Sequence, residues 1–354
     1  MTSTNPFFVR DNLGQQPGQQ GTSWSSCPDL ILMGLQPAQD PTVFTTPGGY
    51  ATDYGSTVYA QNPPVQNFVY LRALNTGAAS PQAPVTGRAW FYWVESDLAL
   101  WPMNWNATLI TVAGNPANYQ DLSATSNNQV VIPNLPFLWG PPPPVSGQHY
   151  CVISWIESPP SQQPQNPVLS IGTLGTFDAL VNFVLSNPNM GWRNTADVSA
   201  QLTWSYSTNI TGPTQPGAFW VGVQCTNMPT DGQIGFSIPG PNPSIPPIIS
   251  NMGPITNPNM YNSVMINNWP GNSQSSITVD YKQGATAPPK GANVIVTLMV
   301  PKPGMSEETF ARAVEHGRVF DIQREWLIEF QRDLYCEFGE SITVCVIGSQ
   351  SYNF

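Results

Sequence analysis

Proline and glycine punctuate this chain so densely that a long helix has nowhere to form. The sequence carries 38 Pro and 29 Gly among 354 residues. They fall between short runs rich in Val, Ile, Thr and aromatic side chains. Proline removes a backbone donor and fixes φ, so it ends a helix or confines a strand to an edge. Short β-branched and aromatic runs bounded by turn residues predict strands. Hydrophobic residues make up 40% of the chain and charged ones only 9%, against roughly 25% charged in an average soluble protein. There is apolar mass enough to fill cores, so general disorder is not expected.

The scarcity of charge excludes whole classes of partner. Eleven Lys and Arg against 21 Asp and Glu give a net charge of −10. That leaves no basic stripe for phosphates, so neither nucleic acid nor an anionic membrane surface is an expected partner. The longest apolar run, Val294 to Val300, is strand-sized and well short of the roughly 18 residues of a spanning helix. No transmembrane segment is predicted. The N-terminal MTSTNPFFVRDNLGQQPGQQ has neither a basic n-region nor an apolar core, which argues against a secretory signal peptide. The Asn, Gln, Ser and Thr content is nonetheless extracellular in character. The compartment stays open between the cytoplasm and secretion by a non-classical route.

At roughly 150 residues per domain the length predicts two domains. Residues 1–25 are polar and turn-rich and read as an arm, either poorly ordered or covering an edge. Residues 26–160 hold strand-like runs at Asp29 to Met33, Asn67 to Leu74, Arg88 to Val94, Ala107 to Val112, Asn128 to Ile132 and His149 to Ile156. Residues 161–192 read as a linker containing one short helix, because Phe177, Leu180, Val181 and Val184 recur at helical spacing before Asn187-Pro188. Residues 193–354 resume strands at Val198 to Tyr206, Phe219 to Thr226, Gln233 to Ile238, Tyr261 to Asn267, Ile277 to Tyr281, Asn293 to Val300 and Ser341 to Ile347. An internal echo links the halves. FVYLRALN at 68–75 and WVGVQCTN at 220–227 each precede a Gly-containing stretch and a further strand, GRAWFYW and QIGFSI.

Fourteen of the chain's 32 charged residues lie in 301–340. Ser306 is placed to cap a helix from Glu307 to Glu315, with two Glu in its first turn where the dipole favours them. Ile322, Trp326, Leu327, Phe330 and Leu334 continue at helical spacing, although Trp326, Ile328 and Phe330 also alternate as a strand would. A helical insertion at about 304–336, covering a sheet end or edge, is expected. The fold class predicted is mainly β: two antiparallel β-sandwiches, a linking helix and a helical element near the C-terminus.

Chemistry is harder to find. The chain has two His, His149 and His316, and no HExxH, GxSxG, Walker A or post-strand GxGxxG pattern. His149 and Cys151 share one strand face, which is a core thiol beside a rim His before it is a nucleophile and base. Glu95, Asp97 and Glu157 follow strands and would have to face one another to hydrolyse a glycoside. Asp29, Asp40 and Asp53 lie in loops without DxDxDG spacing. Five Cys at unmatched spacings read as buried thiols, with Cys336 and Cys345 as one possible pairing. No catalytic residue, metal or cofactor is expected. Trp101, Trp105 and Trp139 sit in Pro- and Asn-rich surroundings outside the evident strands. If exposed they would anchor a protein partner or stack on a sugar.

The stretches CPDLILMG, NFVYLRALNTG, TGRAWFYW, SGQHYCVISWIES and SNPNMGWRNTADV together resemble bacterial Ig-like β-sandwich modules of the CARDB-like kind, over about residues 26–200. The resemblance implies Ig-like sandwiches and a non-catalytic binding or scaffolding role in a bacterial secreted, surface or toxin-associated system. A tandem sandwich of this sort is also similar to accessory proteins encoded beside multicomponent pore-forming toxins. The functional expectation is therefore an interaction protein whose partner is a protein. A carbohydrate-binding module is the alternative and a glycoside hydrolase the third.

Overall fold

A computed structural model of the chain describes residues 5–19, 25–144, 148–195, 203–302, 305–315, 318–323, 326–327 and 341–354. It is mainly β, with several antiparallel sheets. A first sheet runs Ser56–Thr57, Leu30–Met33, Asn67–Leu71, Phe137–Trp139 and Ile110–Val112. A second runs Met190–Asn194, Tyr150–Glu157, Val85–Glu95 and Tyr119–Ala124. In the C-terminal half a four-stranded third sheet (Thr203–Thr211, Gln274–Lys282, Gln233–Ile238, Ile248–Pro254) stands with a five-stranded fourth (Tyr261–Trp269, Gly217–Thr226, Asn293–Pro301, Ser341–Asn353, Val319–Gln323). Pairing is antiparallel throughout these sheets except where Ser56–Thr57 runs beside Leu30–Met33.

The run RAWFYWV explains the layering. Successive side chains of a strand point to opposite faces. Here Ala89, Phe91 and Trp93 enter one core while Trp90, Tyr92 and Val94 enter another. The first core closes against the first sheet. Phe91 lies 5.4 Å from Phe137 and 6.0 Å from Trp139, ring centre to ring centre, and Trp139 lies 5.6 Å from Tyr150. The second core is continuous with the C-terminal half, joining Val221, Val264, Ile277, Val296 and Ile347 to the back of the second sheet. A sheet covered on both sides reads as a near-continuous apolar run instead of an alternating one.

The helix Phe177–Leu185 forms as its periodicity predicts. Thr176 caps it by accepting from Ala179 N at 3.1 Å. Its first residue wedges between the halves, 5.6 Å from Trp101 and 5.5 Å from Phe219. The backbones also meet directly. A Cβ on Gly348 would stand 1.7 Å from the Leu98 carbonyl oxygen, so the position requires glycine for the close approach.

Residues 5–19 of the arm are an edge cover. Phe7–Phe8 pairs with Ala73–Asn75, and Phe7, Phe8, Val9 and Arg10 are buried. The arm is pinned by charge. Arg10 Nη2 donates to Asp29 Oδ1 at 2.6 Å and Arg72 Nε donates to the same oxygen at 2.7 Å, all three side chains being buried. Arg72 also breaks the run expected from Asn67 to Leu74. The chain forms Asn67–Leu71 in the first sheet and Ala73–Asn75 in a separate three-stranded sheet between Phe7–Phe8 and Val130–Val131, with the Arg72 guanidinium satisfying the carbonyls of Pro28, Gly49 and Thr52 between them.

In the 301–340 tract the helix Glu307–Glu315 forms, with Thr309 N donating to Ser306 Oγ at 3.2 Å. The expected helical continuation from Ile322 is corrected. Ile322 lies in the strand Val319–Gln323, opposite Ile342, because pairing with Ser341–Asn353 satisfies the backbone along its whole length. Leu327 forms a bridge with Ser263 on the outer edge of the fourth sheet. Residues 328–340, with Phe330, Leu334 and Cys336, and His316 lie outside the described residues, as do 196–202. Asn67–Leu71 and Gly217–Thr226 each sit in a five-stranded sheet, while Val85–Glu95 and Gln233–Ile238 each sit in a four-stranded one.

Candidate functional site

The three Trp singled out above, whose exposure the sequence left open, are buried: Trp101 stands at 1%, Trp105 at 8% and Trp139 at 0% exposure. Trp139 is part of the strand Phe137–Trp139, whose three residues pair on both sides just before the Pro run. Trp101 and Trp105 belong to a connection that dives between the halves. Trp101 Nε1 donates to Thr211 O at 2.8 Å, and the Trp105 ring packs against Tyr92, Trp155 and Phe183. Large rings beside an unfilled junction bury there because each removes some 150–250 Å² from water. None of the three offers a stacking platform.

The carboxylates do not converge either. Glu95 stands opposite Tyr150 and Glu157 opposite Arg88, at the two ends of one strand pair. At ~3.4 Å per residue that places them roughly 24 Å apart. Glu157 accepts from Ser161 N at 2.9 Å. Asp29 serves Arg10 and Arg72, Asp40 caps the short 3-10 helix Pro41–Thr45 through Thr42 N at 3.0 Å, and Asp53 pairs with Arg193 at 2.7 Å. Among the described residues no group of three or more His, Cys, Asp and Glu is placed to hold a metal ion. The same residues include no helix long and apolar enough to cross a membrane. Cys27, Cys151, Cys225 and Cys345 are free and buried.

Asp97, His149 and Cys151 are buried and have displaced pKa values. Burial pushes Asp97 up to about 6, against the lowering effect of hydrogen bonds from Thr211 and Ala99 N. Burial lowers His149 to about 4 and raises Cys151 to about 12. His149 and Cys151 share a face, as the spacing predicts, but a thiol held protonated is no nucleophile. Among the described residues His149 Nε2 has no hydrogen-bond partner, and its ring stands edge-on to Tyr352 at 6.0 Å.

Asp97 and His149 act oppositely on stability. Asp97 binds a proton more tightly folded than unfolded, so its contribution grows as pH falls from above 6 toward 4. His149 resists protonation when folded, so stability is lost as pH falls from about 6.5 through 4. Each shift of about two units is worth about 3 kcal/mol at most. Asp97→Asn mimics the protonated acid and removes only the first effect. The stability difference between this variant and wild type should change by about 2–3 kcal/mol between pH 7.5 and pH 4, read by urea unfolding at each pH. Parallel pH profiles for the two proteins would contradict it.

What remains for recognition is the surface, and its sheet edges differ sharply. The outer edge of Thr203–Thr211 is covered by the other half, with Leu98 N donating to Asn209 O and Asn209 N to Ser96 O, both at 3.0 Å. Met190–Asn194 is covered by the chain before it, with Cys27 N donating to Trp192 O at 3.1 Å and Asn194 N to Ser25 O at 3.0 Å. Tyr261–Trp269 carries the Leu327 bridge. Tyr119–Ala124 and Val319–Gln323 bear Asp121 and Asp321, the charges that guard an open edge.

Ile248–Pro254 is the contrast. It is the last strand of the third sheet, and among the described residues no other segment bonds its outer side. It leaves Ile249 at 54% and Met252 at 41% exposure. It lies within residues 232–279, where the sequence has no Asp, Glu, Lys, Arg or His. Its register slips opposite Ile234–Phe236, and Pro254 ends it. The regular open edge is therefore Ile248 to Ser250, with the two apolar side chains beside it. Sequence reading passed over this strand, because a Gly-Pro ending and Ser-Asn centre look like a loop. The absence of charge over so long a stretch was the available signal.

No family model matches the chain, and no curated protein matches it. Similar solved structures include one described as "Enterococcal surface protein, partial N-terminal region", at 7% identity over 84% of this chain and 96% of that one, with a TM-score of 0.18. Another combines manganese lipoxygenase of Gaeumannomyces graminis with part of a zonadhesin of Komagataella pastoris, at 9% identity over 77% and 88%, with a TM-score of 0.18. At such scores neither likeness bears on fold or function.

Proposed function

We propose that this chain is a non-enzymatic interaction protein of a bacterial secreted, surface or toxin-associated system, built as tandem Ig-like β-sandwiches, and that its partner is a protein. The observation that carries the reading is the uncharged outer strand Ile248–Pro254 with Ile249 and Met252 exposed. An unguarded edge bearing apolar side chains is a template for contact with another polypeptide. Recognition there rests on apolar and backbone contacts, since no charge within residues 232–279 can steer a partner. The displaced titratable groups support a binding role over a catalytic one, being buried in the scaffold away from this surface.

Affinity capture from the producing organism tests the reading, run in parallel with wild type and the double variant Ile249→Lys, Met252→Lys. A specific protein held by wild type and reduced at least tenfold on the variant is the expected result. Equal capture by both, or none by wild type, would count against it. Both substitutions lie on an exposed edge, so matching thermal unfolding curves check that the fold is intact.

A further inference from the structure

The strand Ile248–Pro254 has backbone hydrogen-bonding capacity to spare. Among the described residues it pairs with Gln233–Ile238 and with no other segment. Alternate residues of an antiparallel strand turn their N–H and C=O to opposite sides, so an edge strand holds out a row of unmade bonds. The regular part of this row is short. Pro246 and Pro247 precede it without amide hydrogens to donate, and the register slip opposite Ile234–Phe236 interrupts it after Ser250. Ile248, Ile249 and Ser250 remain. Ile249 stands opposite Ser237, whose neighbours Phe236 and Ile238 enter the core. The Ile249 side chain therefore lies on the outer face of the sheet.

The distribution of charge says which partner fits. A net charge of −10 makes two copies of this chain repel. The edge strands Tyr119–Ala124 and Val319–Gln323 carry Asp121 and Asp321, and charge on an edge is the device that stops identical chains from pairing. Ile248–Pro254 lacks that device, as does all of residues 232–279. Asp280 and Lys282, the only charged residues in the strands of this sheet, stand opposite Gly235 and Gln233, toward the Pro254 end. The Ile248 end is thus a place where two copies can approach without bringing like charges together.

We infer that two copies of the chain pair through Ile248 to Ser250 as antiparallel strands about a two-fold axis. The inference rests on the edge reading proposed above and names its occupant. With the axis at Ile249, Ile248 of each copy stands opposite Ser250 of the other. The two Ile249 side chains then meet on one face, about 5 Å apart at Cβ. The four-stranded sheets of the two copies become one continuous sheet. Each copy spends the same strand on the contact, so the assembly closes at two and does not propagate. The contact is small, so the dimer is weak and forms as concentration rises.

Sedimentation equilibrium of the full chain between roughly 1 μM and 1 mM reads the association. The expected result is a rise with concentration from one chain of 38.5 kDa toward twice that mass, with slower amide exchange at Ile248 to Ser250 in the concentrated sample. Ile249→Lys and Ile249→Glu each set like charges across the axis. Either alone should weaken association at least tenfold while keeping the wild-type thermal transition. An equimolar mixture of the two should restore it, because opposite charges then face each other. A wild-type chain that stays monomeric throughout overturns the inference. So does a dimer that both variants leave unchanged, or a mixture no more associated than its components. The capture experiment above keeps the two readings apart: a monomeric wild type that holds a different protein through Ile249 and Met252 loses the second copy and keeps the interaction role.

Discussion

Asp29→Asn should lower the stability of the chain by about 3–5 kcal/mol, the largest loss expected from any near-isosteric change here. The carboxylate is fully buried and accepts from Arg10 N at 2.8 Å, Arg10 Nη2 at 2.6 Å and Arg72 Nε at 2.7 Å. The amide keeps the shape but removes the charge, and it turns an NH₂ group toward donors. Two buried guanidiniums then have no counter-ion where they meet. Arg10 also lies over the Tyr50 ring at 3.5 Å, so the loss extends to the arm and to the turn around Pro47–Tyr50. Guanidinium unfolding measures the effect. A loss under ~1 kcal/mol would mean that the triad contributes no more than a surface pair does.

Trp139→Ala, Trp101→Ala and Trp105→Ala should each lower stability by about 3–5 kcal/mol, the range for emptying a buried aromatic site. Trp139 fills the core between the first and second sheets beside Phe91, Trp93 and Tyr150. Trp101 and Trp105 hold the helix Phe177–Leu185 against the junction through Phe177 and Phe183. A ligand-stacking ring behaves otherwise: its removal abolishes binding and leaves the unfolding transition in place. Unfolding curves within a degree or two of wild type would show that the rings are not structural. Loss of a partner on these substitutions would accordingly report unfolding before it reported a binding site.

The strands were legible where the pattern was strong. Gln233–Ile238 forms at the predicted bounds, and Arg88 to Val94 lies inside the longer Val85–Glu95, because β-branched and aromatic runs between turn residues have few other ways to bury themselves. The helices at Phe177–Leu185 and Glu307–Glu315 were legible from spacing and capping. Polar strands were not. Tyr119–Ala124 buries only Leu122 and Ala124, and its identity as a strand depends on the ladder it forms with residues Val85 to Trp90. Of the site, the sequence showed that His and Cys were few, and it left open whether Trp101, Trp105 and Trp139 were exposed. Exposure of a ring in a Pro-rich connection depends on what the connection packs against, which no local pattern encodes.

The amino-acid sequence by itself determined the class of structure: dense Pro and Gly with alternating apolar runs favours short strands over long helices. Tertiary structure alone decided that the back of one sheet would become the wall of the next core, that Asp29 would face two arginines, and that the uncharged strand Ile248–Pro254 would end its sheet with no other described segment on its outer side. Those outcomes follow from contacts between residues far apart in the chain, such as Leu98 with Gly348. Long-range packing chooses among many local arrangements of equal propensity.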